Sequence, residues 1–335
     1  MTTQPVVQCS QCVLDSRFPG FRVDEEGVCG HCRQAPPEAT DAQLKEQERK
    51  FLALLDRERP NNSYDCVLAY SGGKDSTFTM HLLRWRYNLR VLAVTFDNWF
   101  QSERAAENIR SVLARLGADH LAVRPDYQLF REAVRVSAQH ELYSKKALER
   151  ATGICTTCLA LIRFSCLQVA IEKEVPFVAF GLSPGQAPLS TAVFQSNPAM
   201  LRKMQDAILN PLVRHLGDGI RRYFLSERHL QPDRPSPVII NPLAFVRYNE
   251  KGLYKVVTGL GWKQPADTDE NSTNCRLNGY ANQVHLNRHG YHPYAYEIAG
   301  LVRRGVITRE EGLSRLAVEQ EETPVVRAVR QELGL

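Results

Sequence analysis

The chain has 335 residues, 43% of them apolar and 24% charged, with a formal net charge of +5. This is ordinary globular composition, long enough for one large domain or two modest ones, each with its own core. No run of about 18 apolar residues is present, so no membrane span is expected, and the mildly basic balance permits an anionic substrate without requiring one.

Residues 1 to 35 are short on periodicity and rich in Cys, Gly and Pro. Met1 to Pro5 lacks the basic and apolar regions of a secretory signal, which points to the cytoplasm. Nine cysteines in that compartment need a reading other than disulfides. Six fall in Cys-x-x-Cys units: Cys9/Cys12, Cys29/Cys32 and Cys155/Cys158. Sixteen residues separate the first two units, and four thiolates at that spacing suit tetrahedral Zn²⁺. Residues 1–35 are therefore read as a four-cysteine module of zinc-ribbon type, with Gly27 and Gly30 letting the chain turn around the metal. A saturated site of this kind is structural, and metal binding folds the segment. A pair of redox dithiols is the alternative. Cys66, in the apolar run Asp65–Ala69, reads as a small core residue.

A linker and helix follow over 36–62, with Leu44, Phe51 and Leu55 on one face of a helix from Asp41 to Arg57, ended by Pro60-Asn61-Asn62-Ser63. From Tyr64 the pattern alternates. Strands are predicted at Tyr64–Tyr70, Val91–Phe96, Leu121–Val123 and Phe177–Phe180. Helices are predicted at Thr77–Tyr87, Ser102–Leu116 with Gly117 as the stop, Tyr127–His140 and from Cys155 to about Glu174. Such alternation predicts an α/β fold with a doubly wound parallel sheet, its ligands at the carboxyl ends of the strands. Residues 198 to 230 read as helical and carry Arg214, Arg221, Arg222 and Arg228, with Arg234 just beyond. Asp218, Glu227 and Asp233 are interspersed, so a solvated face outweighs a phosphate or RNA site there. The C-terminal region is expected to be mainly helical, with a capping box at Thr308–Glu311 and an N-cap at Thr323-Pro324.

Ser71-Gly72-Gly73-Lys74-Asp75-Ser76 lies between a buried strand and a helix. Its glycines let the backbone approach a phosphate, and the free N–H groups and dipole of the helix start favour an anion. Asp75 after Lys74 breaks the Walker A pattern, and no third glycine completes a Rossmann fingerprint. The loop resembles that of the PP-loop ATP pyrophosphatases, whose motif is Ser-Gly-Gly-x-Asp-Ser, over roughly Tyr64 to Leu182. The resemblance implies a PP-loop/HUP-like fold spanning 63–262. It also implies cleavage of ATP between the α and β phosphates with Mg²⁺ and transfer of AMP to a substrate oxygen. Ser71, Gly72, Gly73, Asp75 and Ser76 would hold the pyrophosphate end, Lys74 would add charge, and Asp97 and Gly181 would contact the nucleotide. Asp75 is also taken as catalytic.

Cys155 and Cys158 open a helix, where a thiolate is expected to be stabilised. The segment resembles that of PP-loop enzymes that thiolate tRNA in an iron–sulfur-dependent way, with Arg163 as the basic residue that follows. The resemblance implies a 4Fe-4S cluster on Cys155, Cys158 and a distant third cysteine, for which Cys275 is the candidate. Residues 263–335 would then complete the cluster and the substrate site. The segment Asn241-Pro242-Leu243-Ala244 looks like the Pro-Leu stretch of those enzymes, with Asn241 in place of the usual Arg. Core packing of Cys158 and Cys166, zinc binding, or persulfide or disulfide chemistry are competing readings. The segments Cys9–Gly20 and Asp24–Cys32 resemble instead the front of N-acetyl sugar amidotransferases, as do Gly261-Trp262 and Ile307–Glu311.

Three functions follow from these patterns. The first is a sulfurtransferase that adenylates a carbonyl-type oxygen of a tRNA base or small molecule, with sulfide or a sulfur-carrying protein as donor. The second is a sugar amidotransferase fed ammonia by a glutaminase subunit. The third is a zinc-ribbon protein that senses adenine nucleotide. A homodimer is compatible with all three. His285, His289 and His292, near Tyr291, Tyr294 and Tyr296, are read as pocket lining or as a self-packed surface loop.

Overall fold

The computed structural model describes residues 5–58, 63–269, 271–317 and 322–335. The segments Met1–Gln4 and Pro60–Asn62, used above as a leader test and a helix stop, lie outside the described residues.

The N-terminal segment holds one short turn of helix, α1 (Gly30–Arg33), and α2 (Asp41–Glu58) follows. The alternating part then runs β1 (Cys66–Ala69), α3 (Lys74–His81), β2 (Val91–Phe96), α4 (Glu103–Leu116), β3 (Asp119–Val123), α5 (Tyr127–Gln139), α6 (Lys145–Leu148), α7 (Gly153–Glu172) and β4 (Phe177–Phe180). Beyond it come β5 (Val193–Gln195), α8 (Pro198–Leu216), β6 (Val238–Ile240), α9 (Glu250–Gly259), α10 (Leu277–His289), α11 (Ala295–Arg303), α12 (Arg309–Arg315) and α13 (Pro324–Leu333).

The strands form one sheet in the order β3-β2-β1-β4-β6-β5, parallel except for β5 against β6. Successive residues of a strand face opposite sides. Val67, Val94, Val178 and Ile239 therefore enter one core with residues of α5, α7, α10 and α13. Cys66, Leu68, Ala93 and Ala179 enter the other with residues of α2, α3, α4 and α9. This is the doubly wound α/β sheet that the alternation predicts. At the 25 cal/mol per Å² typical of apolar burial, two such layers supply most of the folding drive.

Differences from the sequence expectation have local causes. The helix after the loop starts at Lys74 and ends in a π-helical turn, Leu82–Arg86. Residues 198 to 230 are not one helix: α8 stops where Gly217 takes φ +72°, and two 3-10 turns follow. Gly117 does end α4, in the left-handed conformation at φ +60°. Helix α7 is long and apolar enough to cross a membrane by length and composition, although its sequence contains no unbroken apolar run. It is the helix packed along β1 and β2, with Leu161, Phe164 and Leu167 buried in the core.

The N-terminal segment packs on the C-terminal helices. Cys9, Leu14, Phe18 and Cys29 share a small core with Tyr291, Ile298, Leu301 and Ile307. Arg309, the first residue of α12, donates to the carbonyls of Cys12 (3.1 Å) and Cys9 (2.9 Å). The capping box expected at Thr308 and Glu311 is formed and fixes the start of that helix.

Candidate active site and cysteine centres

The loop between β1 and α3 is built by close approach. Gly72 has φ +74°, and a Cβ there would fall 2.6 Å from the carbonyl oxygen of Ala105. Gly181, which follows β4, lies against the start of α3. Ser71 and Ser76 hydroxyls lie 3.2 Å apart across the loop. The indole of Trp262, buried, donates to the Gly72 carbonyl at 2.8 Å. The hydroxyl of Thr273 accepts the Lys74 backbone N–H at 3.1 Å. A parallel strand, this loop and a helix start, placed at the carboxyl end of the strand beside a neighbouring strand end, form the setting the motif requires.

The fold is a doubly wound α/β sheet with the Ser71–Ser76 loop joining β1 to α3.

In this loop, Lys74 turns its ammonium to Asp75 (2.8 Å), Tyr248 (3.2 Å) and Glu250 (3.4 Å). Burial disfavours the charge, but these three groups outweigh it and hold the Lys74 pKa well above its ordinary value. Glu250 is in turn gripped by Arg315 at 2.6 Å and stays below the usual carboxylate range despite its burial. Asp75 also accepts from the Tyr248 hydroxyl at 2.7 Å. The loop's charges are thus pre-oriented by α9 and α12, elements that local sequence does not connect to it.

A cleft of about 270 Å³ opens beside the Ser71–Ser76 loop. Ser71, Gly73, Lys74, Asp75, Ser76 and Gly181 line it, and so do Cys155, Cys158 and Cys275. Cys275 arrives through the loop 271–276, which pairs with the segment after β2. Arg276 donates its backbone N–H to Phe100, and Ser102 donates to Asn274. The Asn98 amide donates to the Cys275 sulfur at 3.4 Å, and Asn278 to the Cys155 sulfur at 3.6 Å. Asp97 does not line the cleft. It sits just past β2, its carboxylate taken by the Arg124 guanidinium at 2.8 Å and by the Trp99 N–H.

Burial pushes all three thiols up, Cys155 to about 11, Cys158 well above its usual value, and Cys275 in the same direction. The thiolate stabilisation expected at the start of α7 is therefore outweighed by desolvation. The N-cap there is the Thr152 hydroxyl, which already accepts the Cys155 N–H at 2.9 Å. Cys166, two turns further along α7, is buried in the core and absent from the cleft wall. Arg163 lies over the Phe180 ring at 5.7 Å, and Pro242–Ala244 forms a buried turn after β6, away from the cleft.

The N-terminal cysteines converge. The sulfurs of Cys9, Cys12, Cys29 and Cys32 lie within 4.8 Å of one another, the one such ligand group among the described residues. The Cys9–Cys32 and Cys12–Cys29 pairs are each 3.8 Å apart. Four sulfurs about 2.3 Å from a tetrahedral zinc would stand about 3.8 Å apart, so the quartet fits that ion. Burial alone would raise Cys9, but backbone N–H donors from Cys29, Cys12 and Gln11 bring it down to about 7.

One cleft residue, Glu297, carried no sequence signal, and another, Tyr294, belongs to the polar-aromatic stretch read as pocket lining. Glu297, on α11, accepts the Ser183 hydroxyl at 2.7 Å, and burial raises its pKa to about 7. Tyr294 accepts from Asn278 at 3.0 Å. Neither lies in a motif, and only the packing of α10 and α11 brings them here. The histidines divide differently: His285 is buried with both ring nitrogens unpartnered, outside the cleft, and His292 accepts the Tyr294 N–H. The Arg-rich stretch pairs locally, Arg221 with Asp218 and Arg228 with Glu172, as a solvated face does.

No family model matches the chain. A curated relative, the uncharacterized protein MJ1599 of Methanocaldococcus jannaschii, is 25% identical over 333 residues and covers 98% of each chain. Among solved structures the chain aligns with the U34-tRNA thiolase NcsA from Methanococcus maripaludis with its 4Fe-4S cluster (19% identity, 99% of both chains, TM-score 0.37). It also aligns with a predicted tRNA methyltransferase subunit from Methanocaldococcus jannaschii (15%, 69% of this chain and 91% of that one, TM-score 0.32). The third is NMN synthetase from Francisella tularensis (13%, 83% and 98%, TM-score 0.38).

Proposed function

We propose that this protein uses ATP to adenylate a carbonyl-type oxygen of its acceptor and replaces that oxygen with sulfur. The observation that carries the reading is a single cleft lined by both the PP-loop and the thiols of Cys155, Cys158 and Cys275. The start of α3 and the Ser71 and Ser76 hydroxyls would hold the outer phosphates, with Mg²⁺ shared by them and Asp75. Lys74 would neutralise charge on the pyrophosphate as it leaves. AMP is a far better leaving group than the oxygen it activates, which is why the chemistry needs this site next to the nucleophile.

The inner donor set suits an iron–sulfur cluster in its chemistry: three thiols line the cleft, two of them receiving amide hydrogen bonds from Asn98 and Asn278. Such a cluster, when bound, would present an open iron to sulfide. The chain's own part is to orient the thiols, exclude water and move protons. Glu297 would take a proton from the incoming nucleophile, a role supported by its lining the cleft and by burial raising its pKa to about 7. The N-terminal quartet would hold zinc and act structurally.

A second reading, amination by ammonia from a glutaminase, draws on burial pushing the pKa of the inner thiols up, which disfavours bare thiolates. Anaerobic purification with iron and zinc counts and a visible spectrum separates the two. Iron with a brown chromophore lost in Cys155→Ser supports thiolation. Colourless, iron-free protein that releases pyrophosphate with ammonia supports amination.

A further inference from the structure

A second cleft, about 550 Å³, lies between the N-terminal cysteine segment and α11. That volume is in the range of small-molecule sites. Its wall carries Arg150, Arg303, Arg304 and His31, with Glu38 as the one acidic lining residue. Arg150 is exposed and lies over the Tyr296 ring at 4.8 Å, with Arg303 at 6.0 Å from the same ring. None of the three arginines forms an ion pair among the described residues, whereas Glu38 is paired outward with Arg247. The Arg303 Nη1 is buried and has no hydrogen-bond partner. A buried guanidinium nitrogen left unpaired is costly unless an anion arrives to receive it.

The cleft adjoins the one beside the Ser71–Ser76 loop, with Arg150 and Gln186 lining both. The two are joined at α11: a Cβ on Gly185 would fall 2.6 Å from the Glu297 carbonyl, so the segment after β4 presses directly on the helix that carries Glu297.

We infer that this second cleft binds the phosphate groups of the acceptor, Arg150, Arg303 and Arg304 forking onto phosphate oxygens while the reactive part extends to the thiols. The inference rests on the proposed function for the direction in which the acceptor points, but not for phosphate binding itself. Guanidinium groups match phosphate geometry in a bidentate way, and the Cys32 side of the wall ties the cleft to the metal-folded segment. The phosphate could belong to an RNA strand or to a nucleotide-linked sugar.

The test is equilibrium binding to the zinc-loaded full chain, without ATP, of a fluorescent single-stranded RNA oligonucleotide and, separately, a nucleoside diphosphate sugar. Either ligand binding to the wild type, with affinity falling as salt rises, is expected. Arg150→Glu, at an exposed site whose packing is limited to the Tyr296 ring, should weaken binding by roughly tenfold or more while a thermal melt shows the fold kept. Arg303→Lys, which keeps the charge and loses the fork, should weaken it by a smaller factor. RNA binding alone or sugar-nucleotide binding alone identifies the source. Wild type that binds neither, or Arg150→Glu that binds as wild type does, overturns the inference. Calorimetry with ATP and magnesium is run in parallel. Uptake of ATP with no phosphate-ligand binding removes this inference alone, and Arg150-dependent binding without ATP uptake keeps it and removes the proposed function.

Discussion

Gly181 stands so close to Ser76 that a Cβ on it would come within 2.9 Å of both the Cα and the backbone nitrogen of Ser76. The end of β4 thereby clamps the start of α3, and the phosphate loop cannot shift without moving the sheet. Gly181→Ala should cost about 1–3 kcal/mol of stability through overpacking. It should weaken ATP binding by roughly tenfold because the loop amides are displaced. Thermal melts and calorimetry with ATP and magnesium check both, and wild-type affinity in the variant would show that the loop tolerates the shift.

The Trp262 indole reaches the Gly72 carbonyl from 190 residues away in the chain. Trp262→Phe keeps most of the apolar volume and leaves that buried carbonyl without its donor. A loss of about 1–3 kcal/mol in stability is expected, with a raised KM for ATP and little change in metal content. Urea unfolding and steady-state pyrophosphate release measure it.

Cys275→Ser should abolish sulfur transfer while sparing ATP binding, and Cys155→Ser should do the same. Cys166→Ser should leave both intact apart from a modest stability loss, since its sulfur is in the core. Full sulfur transfer by Cys275→Ser would remove it as a ligand.

Glu297 binds its proton more tightly in the fold, near 7 against an ordinary value of 4.5. The folded chain therefore carries more protons than the unfolded chain between those values, and stability falls as pH rises through that window. Above pH 7 the full cost of a buried charge is present. Glu297→Gln should be more stable than wild type at pH 8, on the order of 1–2 kcal/mol after allowance for its partial exposure, and equal to it near pH 4. The same variant should lose the limb near pH 7 in the rate profile; an unchanged profile would exclude Glu297 as the proton acceptor.

Stripping the N-terminal quartet with a chelator should lower the melting temperature of the whole chain rather than release a tail. The reason is the core that Cys9, Leu14 and Phe18 share with Ile298 and Leu301. Circular dichroism with and without added zinc reads this out, and an unchanged melt would show the ion to be dispensable.

Much of this was legible along the chain. Strands Val91–Phe96 and Phe177–Phe180 form where the apolar runs stand, and α4 ends at Gly117 because a left-handed stop needs no side chain there. The segment 198–230 misled because its arginines suit a helix while Gly217 breaks it. Glu297 was invisible, because an isolated acid carries no spacing pattern, whereas Tyr294 stood in the polar-aromatic stretch read as pocket lining or as a self-packed loop.

By itself, the order of residues determined the glycine-bearing loop after β1, the two N-terminal cysteine pairs and the alternation of strand and helix. These are short-range properties, set by backbone freedom, periodicity and ligand spacing. Tertiary structure alone decided that Cys275 joins Cys155 in one cleft across 120 residues, that burial pushes the pKa of those thiols up, and that α11 delivers an acid to the same cleft. Such facts depend on which distant surfaces exclude water from one another, and no local pattern encodes that.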